Sequence, residues 1–210
     1  MIENIHWLGH DAFRIENDKI IYIDPFRLRG KLPKADLILI THDHSDHCSP
    51  DDVAKIAKDD TVIVTIAAAA RRLKGDVRVV KPGESLTVLG IPIETVPAYN
   101  VNKFRSPGVP FHPKASGHVG FIITVGGKRI YHAGDTDVIP EMDDIEADIA
   151  LLPVGGTYTM TADEAAQAAN RIKPEVAIPM HWGTSVGSAR DAERFRDLCE
   201  MEVVILSQEG

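Results

Sequence analysis

The sequence predicts an α/β (α+β) fold in which two mixed β-sheets pack face to face with helices outside them, a four-layer αβ/βα sandwich. The first observation is that both halves of the chain contain the same elements, short strand-like runs together with helices. The second is that the apolar runs at 37–40 and 149–152 are typical of strands buried on both faces. The third is Gly126-Gly127 between two strand-like runs, which indicates a β-hairpin.

The first half of the chain opens with strand-like runs separated by Gly9-His10, Asn17-Asp18 and Pro25, which predicts an antiparallel meander. A helix is expected to begin at Ser49, because serine caps helices and Pro50 suits the first helical position. The segments expected to form the remaining structure are strands at 5–8, 12–15, 19–23, 37–40 and 61–66, an alanine-rich helix through Leu73, and strands near 77, 86 and 91–96.

Residues 97–117 contain four prolines besides Gly108 and show no periodicity. We therefore expect a long loop without regular structure, of the kind that proteins use as lids or binding surfaces. Lys103, Arg105 and Lys114 make this loop basic within an acidic protein. The charges suit an anionic group on a substrate, and simple solvation of the loop explains them equally well.

The second half continues with strand-like runs on either side of the Gly126-Gly127 hairpin. Thr161 and Glu164 form a capping-box pattern that opens a helix, and Pro174 closes it. Ser188 is expected to cap a last helix. The strands predicted in this half are 119–125, 128–132, 149–152, 176–180 and 203–206.

The bulk properties predict one domain spanning residues 1–210, since 44% of residues are apolar and 26% are charged, as in ordinary folded proteins. The net charge of −8 argues against general nucleic-acid binding, so a small molecule is the expected partner. Cys48 and Cys199 are far apart in sequence, which indicates a reducing compartment, the cytoplasm. No signal-peptide pattern and no stretch of about 18 apolar residues is present, so no membrane span is expected.

The polar segment Thr41-His-Asp-His-Ser-Asp-His47 follows the buried run 37–40, at the kind of strand end where ligand loops lie. Three imidazoles and two carboxylates so close together require a positive charge among them, and a divalent cation that accepts nitrogen and carboxylate ligands supplies it. On an extended segment His42 and His44 point the same way. Asp46 and His47 lie beyond the bend, where they can face a second cation.

This segment resembles the HxHxDH signature of the metallo-β-lactamase-fold hydrolases. Further similarities extend over nearly the whole chain, and they are closest to the L-ascorbate-6-phosphate lactonase-like and N-acyl-phosphatidylethanolamine phospholipase D-like branch. The segments that carry them are Trp7-Leu-Gly-His10, Ile23-Asp-Pro-Phe26, Ile130-Tyr-His-Ala-Gly-Asp-Thr136 and Ile178-Pro-Met-His181. The resemblance implies the metallo-β-lactamase fold and two divalent metals, Zn²⁺ with Mn²⁺ or Fe²⁺ as alternatives.

The resemblance also implies a ligand set divided between two cations: His42 and His44 for the first, Asp46, His47 and His181 for the second, and Asp135 for both. The family usually has another histidine at the end of the strand before the long loop, where this chain has Asn100. Three replacements remain open: weak or water-mediated coordination by Asn100, His112 from the loop, or His118, a position that more often serves packing.

Several other polar residues near these motifs each have two possible roles. His10 is placed near the metals by the resemblance, where it would hold substrate or donate a proton, or it is a turn histidine bonded to backbone. Asp24 either accepts the second N–H of a ligand histidine or caps a local turn. His132 either supports the site or is a hydrogen-bonded core histidine. Cys48 is expected to pack in the core.

The function predicted from these residues is hydrolysis of an ester, lactone or phosphoester in a small molecule by a metal-bridged hydroxide. Asp46 and Asp135 would orient the hydroxide, and His10 or His112 would stabilise charge or protonate the leaving group. The alternatives are a phosphodiesterase or nuclease of the same fold, a di-iron oxidoreductase, and a metal-binding protein without catalysis.

Overall fold

The computed structural model describes residues 1–183 and 186–209, and its first sheet has six strands in the order β1-β2-β3-β4-β5-β6. The strands β1 to β3 pair antiparallel, and β3 to β6 pair parallel. The predicted meander is therefore wrong for β4, because the connection 24–36 is long enough to cross over and return the chain in the same direction. The strand bounds are Ile5–Gly9, Ala12–Glu16, Ile20–Ile23, Leu37–Ile40, Val62–Ile66 and Asp76–Val80.

The second sheet has seven strands in the order β15-β14-β13-β12-β11-β8-β7. The Gly126-Gly127 hairpin joins β11 to β12 as predicted, and β12 to β15 pair parallel. The terminal strand is shorter than the predicted 203–206, because only two of its residues pair with β14. The strand bounds are Ser85–Val88, Ile91–Pro97, Val119–Val125, Lys128–His132, Ile149–Pro153, Val176–Met180 and Glu202–Val203.

The two sheets share one apolar core, to which both contribute strands buried along their whole length. Every residue of β4 and of β13 is buried, as their apolar sequences predict. Four α-helices in the described part of the chain accompany the sheets: α1 Pro50–Ile56, α2 Ala67–Ala70, α3 Ala162–Ile172 and α4 Ala189–Leu198. The prediction of two mixed sheets with accompanying helices is confirmed.

The helix ends follow the predicted caps. Ser49 accepts a hydrogen bond from the backbone N of Asp52, and Thr161 forms a capping box with Glu164. Ser188 caps α4 together with Asp191. The alanine-rich α2 ends before the predicted Leu73. Within the described residues, no helix has the length and apolar character that crossing a bilayer requires.

The loop 97–117 is more ordered than predicted. Phe104–Ser106 (β9) and Val109–Pro110 (β10) form a short antiparallel hairpin, and a 3-10 turn follows at Lys114–Ser116. The hairpin turns at Gly108, whose φ of +75° is a conformation that glycine adopts freely. Its strands are too short to show an alternating pattern in the sequence.

Candidate metal centre

Five segments of the chain meet at one end of the sandwich. The loops after β4, β12 and β14 leave the carboxyl ends of parallel strands, which is where ligand sites of such sheets lie. The β1–β2 turn and the long loop before β11 complete the site. The side chains brought together are His10, Asp11, His42, His44, Asp46, His47, His112, His118, Asp135 and His181.

Asp24 organises the loop after β4. Its carboxylate accepts hydrogen bonds from the backbone N of Thr41 at 2.8 Å, from the Thr41 hydroxyl at 2.6 Å and from His47 Nδ1 at 2.8 Å. Asp24 itself has a φ of +45°, a strained conformation for a non-glycine residue. Because a carboxylate only accepts, a proton of His47 lies on Nδ1, and Nε2 is the ring nitrogen that faces the site.

The first histidine cluster consists of His42, His44 and His112. His44 Nδ1 lies 3.1 Å from His42 Nε2 and 3.2 Å from His112 Nε2. His118 stacks on the ring of His42 with centroids 4.7 Å apart and is also close enough to share a metal with His42 and His112. Burial lowers the pKa of His42 well below its usual value and that of His118 to about 4, so both rings are neutral at pH 7, as metal binding requires.

Asn100 and His112, two of the three replacements left open by the sequence, form one unit. Asn100 Oδ1 accepts hydrogen bonds from the backbone N of His112 at 2.8 Å and from its Nδ1 at 3.0 Å. Asn100 Nδ2 donates to Asp137 Oδ1 and to the backbone oxygen of Tyr158. With its amide occupied, Asn100 holds the ring of His112 so that Nε2 faces Asp135.

The second cluster consists of Asp46, His47 and His181. His181 follows β14 with a φ of +58°, and its backbone N donates to His10 O at 3.0 Å. His10 Nε2 lies 3.2 Å from Asp46 Oδ2, so this ring nitrogen donates to the carboxylate. Burial raises the pKa of Asp46, but the bond from His10 and the charge of His47 together outweigh burial, and the pKa lies well below its usual value. Asp46 is therefore ionised at neutral pH.

Asp135 lies between the two clusters. Its Oδ2 is 3.2 Å from His112 Nε2, and its Oδ1 is 3.4 Å from both His47 Nε2 and His181 Nε2. Burial lowers the pKa values of His47 and His181, but the neighbouring carboxylates together, Asp135 first among them, outweigh burial and raise the pKa of His181 to about 9 and that of His47 well above its usual range. The carboxylate thus favours positive charge on its Oδ1 side.

Buried polar atoms without a hydrogen-bond partner show whether this site suits divalent cations. Among the described residues, the buried His47 Nε2, His181 Nε2 and Asp135 Oδ1 have no hydrogen-bond partner. Each such atom costs roughly 1–3 kcal/mol when buried unpaired. The three atoms face one another, and imidazole nitrogen with carboxylate oxygen is a donor set that binds divalent metals. The residues present therefore fit a metal.

Asp11 is a site residue that the sequence analysis missed. It is fully buried, and its carboxylate lies 3.5 Å from His47 Nδ1. Burial raises its pKa well above the usual range. The signal that would have found it is a carboxylate between the Gly9-His10 turn and a strand that is buried from Ala12 onward.

Two other residues lie outside the clusters. Cys48 packs in the core with its Sγ facing the backbone oxygen of Ala69, and burial raises its pKa to about 11. His132 lies in the core with Nε2 3.0 Å from the backbone oxygen of Asp11, and it packs edge-on against Phe13. His132 therefore supports the backbone of the β1–β2 turn.

A cavity of about 300 Å³ opens onto both clusters. Of the three basic residues of the long loop, Lys103 pairs with Glu164 and Lys114 with Glu141, each at 2.7 Å. Arg105 lines the cavity instead, and its guanidinium lies over the ring of Phe111. The lining residues are His44, Asp46, Arg105, Phe111, His112, Asp135 and Tyr158.

Comparison with known proteins identifies the family of this chain. The family described as Beta-lactamase superfamily domain matches residues 4–181. The chain belongs to the β-lactamase superfamily. This β-lactamase superfamily protein is 37% identical to a UPF0173 metal-dependent hydrolase of Thermoplasma acidophilum, over 92% of this chain and 89% of that protein. It is 38% identical to another from Methanopyrus kandleri, over 96% of both chains.

A solved structure shows the same relationship. A putative metal-dependent hydrolase from Parabacteroides distasonis superposes with a TM-score of 0.86 at 36% identity, covering 98% of this chain and 93% of that one. The protein is thus a member of the UPF0173 metal-dependent hydrolases within the superfamily, and the predictions of the metallo-β-lactamase fold and of a metal-dependent hydrolase are confirmed.

Proposed function

We propose that this protein is a binuclear hydrolase that cleaves an ester, lactone or phosphoester bond in a small anionic molecule. The observation that carries the proposal is the position of Asp135, whose two carboxylate oxygens face different histidine clusters. A carboxylate in that position can bridge two cations. Two-metal hydrolases use such a pair to bind both the attacking and the leaving oxygen.

The ligand sets follow from the geometry and the resemblance together. His42, His44 and His112 would hold one cation, Asp46, His47 and His181 the other, and Asp135 both. Zinc suits the imidazole-rich first set. When bound, such a metal pair lowers the pKa of a coordinated water to about 7 and polarises the bond under attack.

The protein's own residues orient the ligands. Asn100 Oδ1 accepts the proton on His112 Nδ1, and Asp24 accepts the proton on His47 Nδ1, so both rings present Nε2 to the site. His10 keeps a proton on Nε2 beside Asp46. Because Asp46 borders the cavity, His10 is placed to orient this carboxylate toward a bound substrate through that hydrogen bond.

The cavity supports the choice of substrate class. Its volume of about 300 Å³ is at the lower end of small-molecule pockets. Arg105 carries five N–H donors in a planar group that matches a carboxylate or phosphate. Phe111 and Tyr158 pack edge to face with centroids 4.8 Å apart and form an aromatic wall beside it.

The test is hydrolysis of matched lactone, ester and phosphoester panels, each with and without an anionic substituent, by protein loaded with Zn²⁺ or Mn²⁺. We expect turnover that requires metal and is fastest with the anionic compounds. Elemental analysis must verify metal removal in the control. Turnover that survives complete metal removal contradicts the proposal.

A further inference from the structure

We propose that Asp11 supplies an additional carboxylate ligand to the cation of the second cluster, an inference that rests on the proposed function. The ligand set implied by the resemblance does not contain this residue. Asp11 would make the second site richer in oxygen than the first. It would therefore also influence which metal the second site prefers.

Asp11 is a buried carboxyl group whose oxygens are unsatisfied. Asp11 has 0% of its surface exposed, and both carboxylate oxygens lack a hydrogen-bond partner in the part of the chain that the structure describes. An ionised carboxylate in such surroundings is strongly unfavourable unless a cation or a hydrogen-bond donor compensates it. The carboxylate therefore needs a positively charged partner inside the site.

Asp11 also lies close to the residues proposed to bind the second cation. Asp11, His47, Asp135 and His181 each offer a ligand atom, and these atoms all lie within 4.8 Å of one another. A supporting role toward His47 is already filled, because His47 Nδ1 donates to Asp24 at 2.8 Å and lies 3.5 Å from Asp11. The carboxylate of Asp11 is thus free to face a cation.

Hydrogen bonds fix the backbone of the turn that carries Asp11. His132 Nε2 bonds to the Asp11 backbone oxygen at 3.0 Å. The neighbouring His10 backbone oxygen accepts from Trp7 Nε1 at 2.9 Å and from the His181 backbone N at 3.0 Å. The turn that carries Asp11 is therefore tied directly to the segment that carries His181.

The chemical consequence is a difference between the two sites. The second site would combine carboxylates from Asp11, Asp46 and Asp135 with two imidazoles, whereas the first has three imidazoles and one shared carboxylate. Carboxylate oxygen suits Mn²⁺ better than imidazole does, and imidazole suits Zn²⁺. We therefore expect Mn²⁺ to compete with Zn²⁺ more effectively at the second site.

The experiment compares the wild-type protein with the isosteric Asp11→Asn variant, both prepared metal-free. Mn²⁺ binding is measured by calorimetry and electron paramagnetic resonance, and thermal unfolding is measured without metal and with saturating Mn²⁺. We expect the variant to bind one Mn²⁺ at least about tenfold more weakly, a loss at the scale of disturbed metal sites, and the other unchanged.

Thermal unfolding gives a readout independent of activity. Without metal, we expect Asp11→Asn and the wild type to melt at similar temperatures, because a fully buried carboxyl group without a cation is neutral, like the amide that replaces it. With saturating Mn²⁺ the wild type should melt at the higher temperature, since it gains more from the cation. A residue with a merely structural role lowers the melting temperature in both states.

Asp52→Asn is the matched control. Asp52 is a buried carboxylate away from the site, and it accepts hydrogen bonds from the backbone N of Arg27 and of Leu28. Its variant should lose stability equally with and without metal and keep both Mn²⁺ affinities. Equal Mn²⁺ affinities in the wild type and Asp11→Asn overturn the inference while leaving the binuclear proposal intact. Failure of the wild type to bind Mn²⁺ or Zn²⁺ overturns both.

Discussion

The two clusters of the metal centre share the loop after β4 but differ in the segment that completes each of them. The second cluster lies on short turns that directly follow the buried strands β4 and β14, and Asp24 holds its histidine His47. The first cluster takes His112 from the long loop, where Asn100 holds it. The second cluster therefore depends on residues next to buried strands, whereas the first also depends on how the long loop is anchored.

The anchoring of the loop is itself a chain of polar contacts. Asp137, which follows β12, accepts hydrogen bonds from Asn100 Nδ2 at 3.1 Å and from the backbone N of Val101 at 2.7 Å and of Asn102 at 2.8 Å. Lys103 pairs with Glu164 at the start of α3. This difference predicts two kinds of result. A substitution that removes support from the second cluster should lower both stability and metal binding, whereas one that removes support from His112 should weaken the binding of one metal only.

The largest effect is expected from Asp24→Ala. The substitution removes the acceptor of Thr41 and of His47, so we expect a loss of roughly 2–5 kcal/mol of unfolding free energy and weaker metal binding. Chemical denaturation and metal titration check both. Asp36→Ala is the control, since Asp36 also accepts a backbone bond, from Ile20, but lies far from the site. Equal metal affinities in the two variants contradict the role given to Asp24.

A smaller, local effect is expected from Asn100→Ala. Without the amide, the His112 ring is free to rotate, and we expect affinity for one metal to fall by about 10–100-fold while the other is kept. Titration with Zn²⁺ resolves the two events. The control Asn102→Ala removes a bond to Glu164 in the same loop and should leave both affinities unchanged. Loss of both metals in Asn100→Ala would mean that the clusters are not independent.

Arg105→Ala tests the substrate side of the first cluster. Loss of a charge-assisted hydrogen bond of roughly 1.5–3 kcal/mol should raise KM for an anionic substrate by about 10–100-fold. kcat should change little, and an uncharged analogue should show no effect. Lys103→Ala is the control, because Glu164 already neutralises Lys103. Equal KM changes in both variants would assign the effect to general loop charge.

The smallest effect is expected in the pH dependence of stability from Glu164, which pairs with Lys103 of the long loop. Burial raises the pKa of Glu164, but its bonds with Lys103 and Thr161 outweigh burial and lower the pKa from 4.5 to about 2. Its folded pKa is depressed, so its stabilising contribution is full above pH 4.5 and is lost as the pH falls through about 2. The stability difference between wild type and Glu164→Gln should be constant at neutral pH and shrink below 4.5. A stability difference that grows as the pH falls would contradict a lowered pKa for Glu164.

The difference between local features and contacts of distant segments explains how much could be predicted from sequence. Strand β4 and the polar turn after it are local features, so the positions of His42, His44 and His47 relative to the sheet follow from an apolar run that ends at Thr41. The capping patterns at Thr161 and Ser188 are local as well. These elements were predictable because each is determined by residues close together in the chain.

The remaining features depend on contacts between distant segments. The pairing of Asn100 with His112 depends on a loop that folds back on itself, and the sequence left the two as alternatives. The carboxylate of Asp11 meets His47 only because two turns from different strands converge. The parallel pairing of β4 depends on the path of residues 24–36, which carries no periodic signal.

The central claim is that the Asp135 carboxylate lies between two cations, one in each cluster. Crystals of the protein grown with saturating Mn²⁺, with anomalous diffraction data collected to locate the metal, test it most directly. We expect two anomalous peaks on opposite sides of the carboxylate, one beside His42, His44 and His112 and the other beside Asp46, His47 and His181. A single peak, or two peaks that do not flank Asp135, contradicts the account.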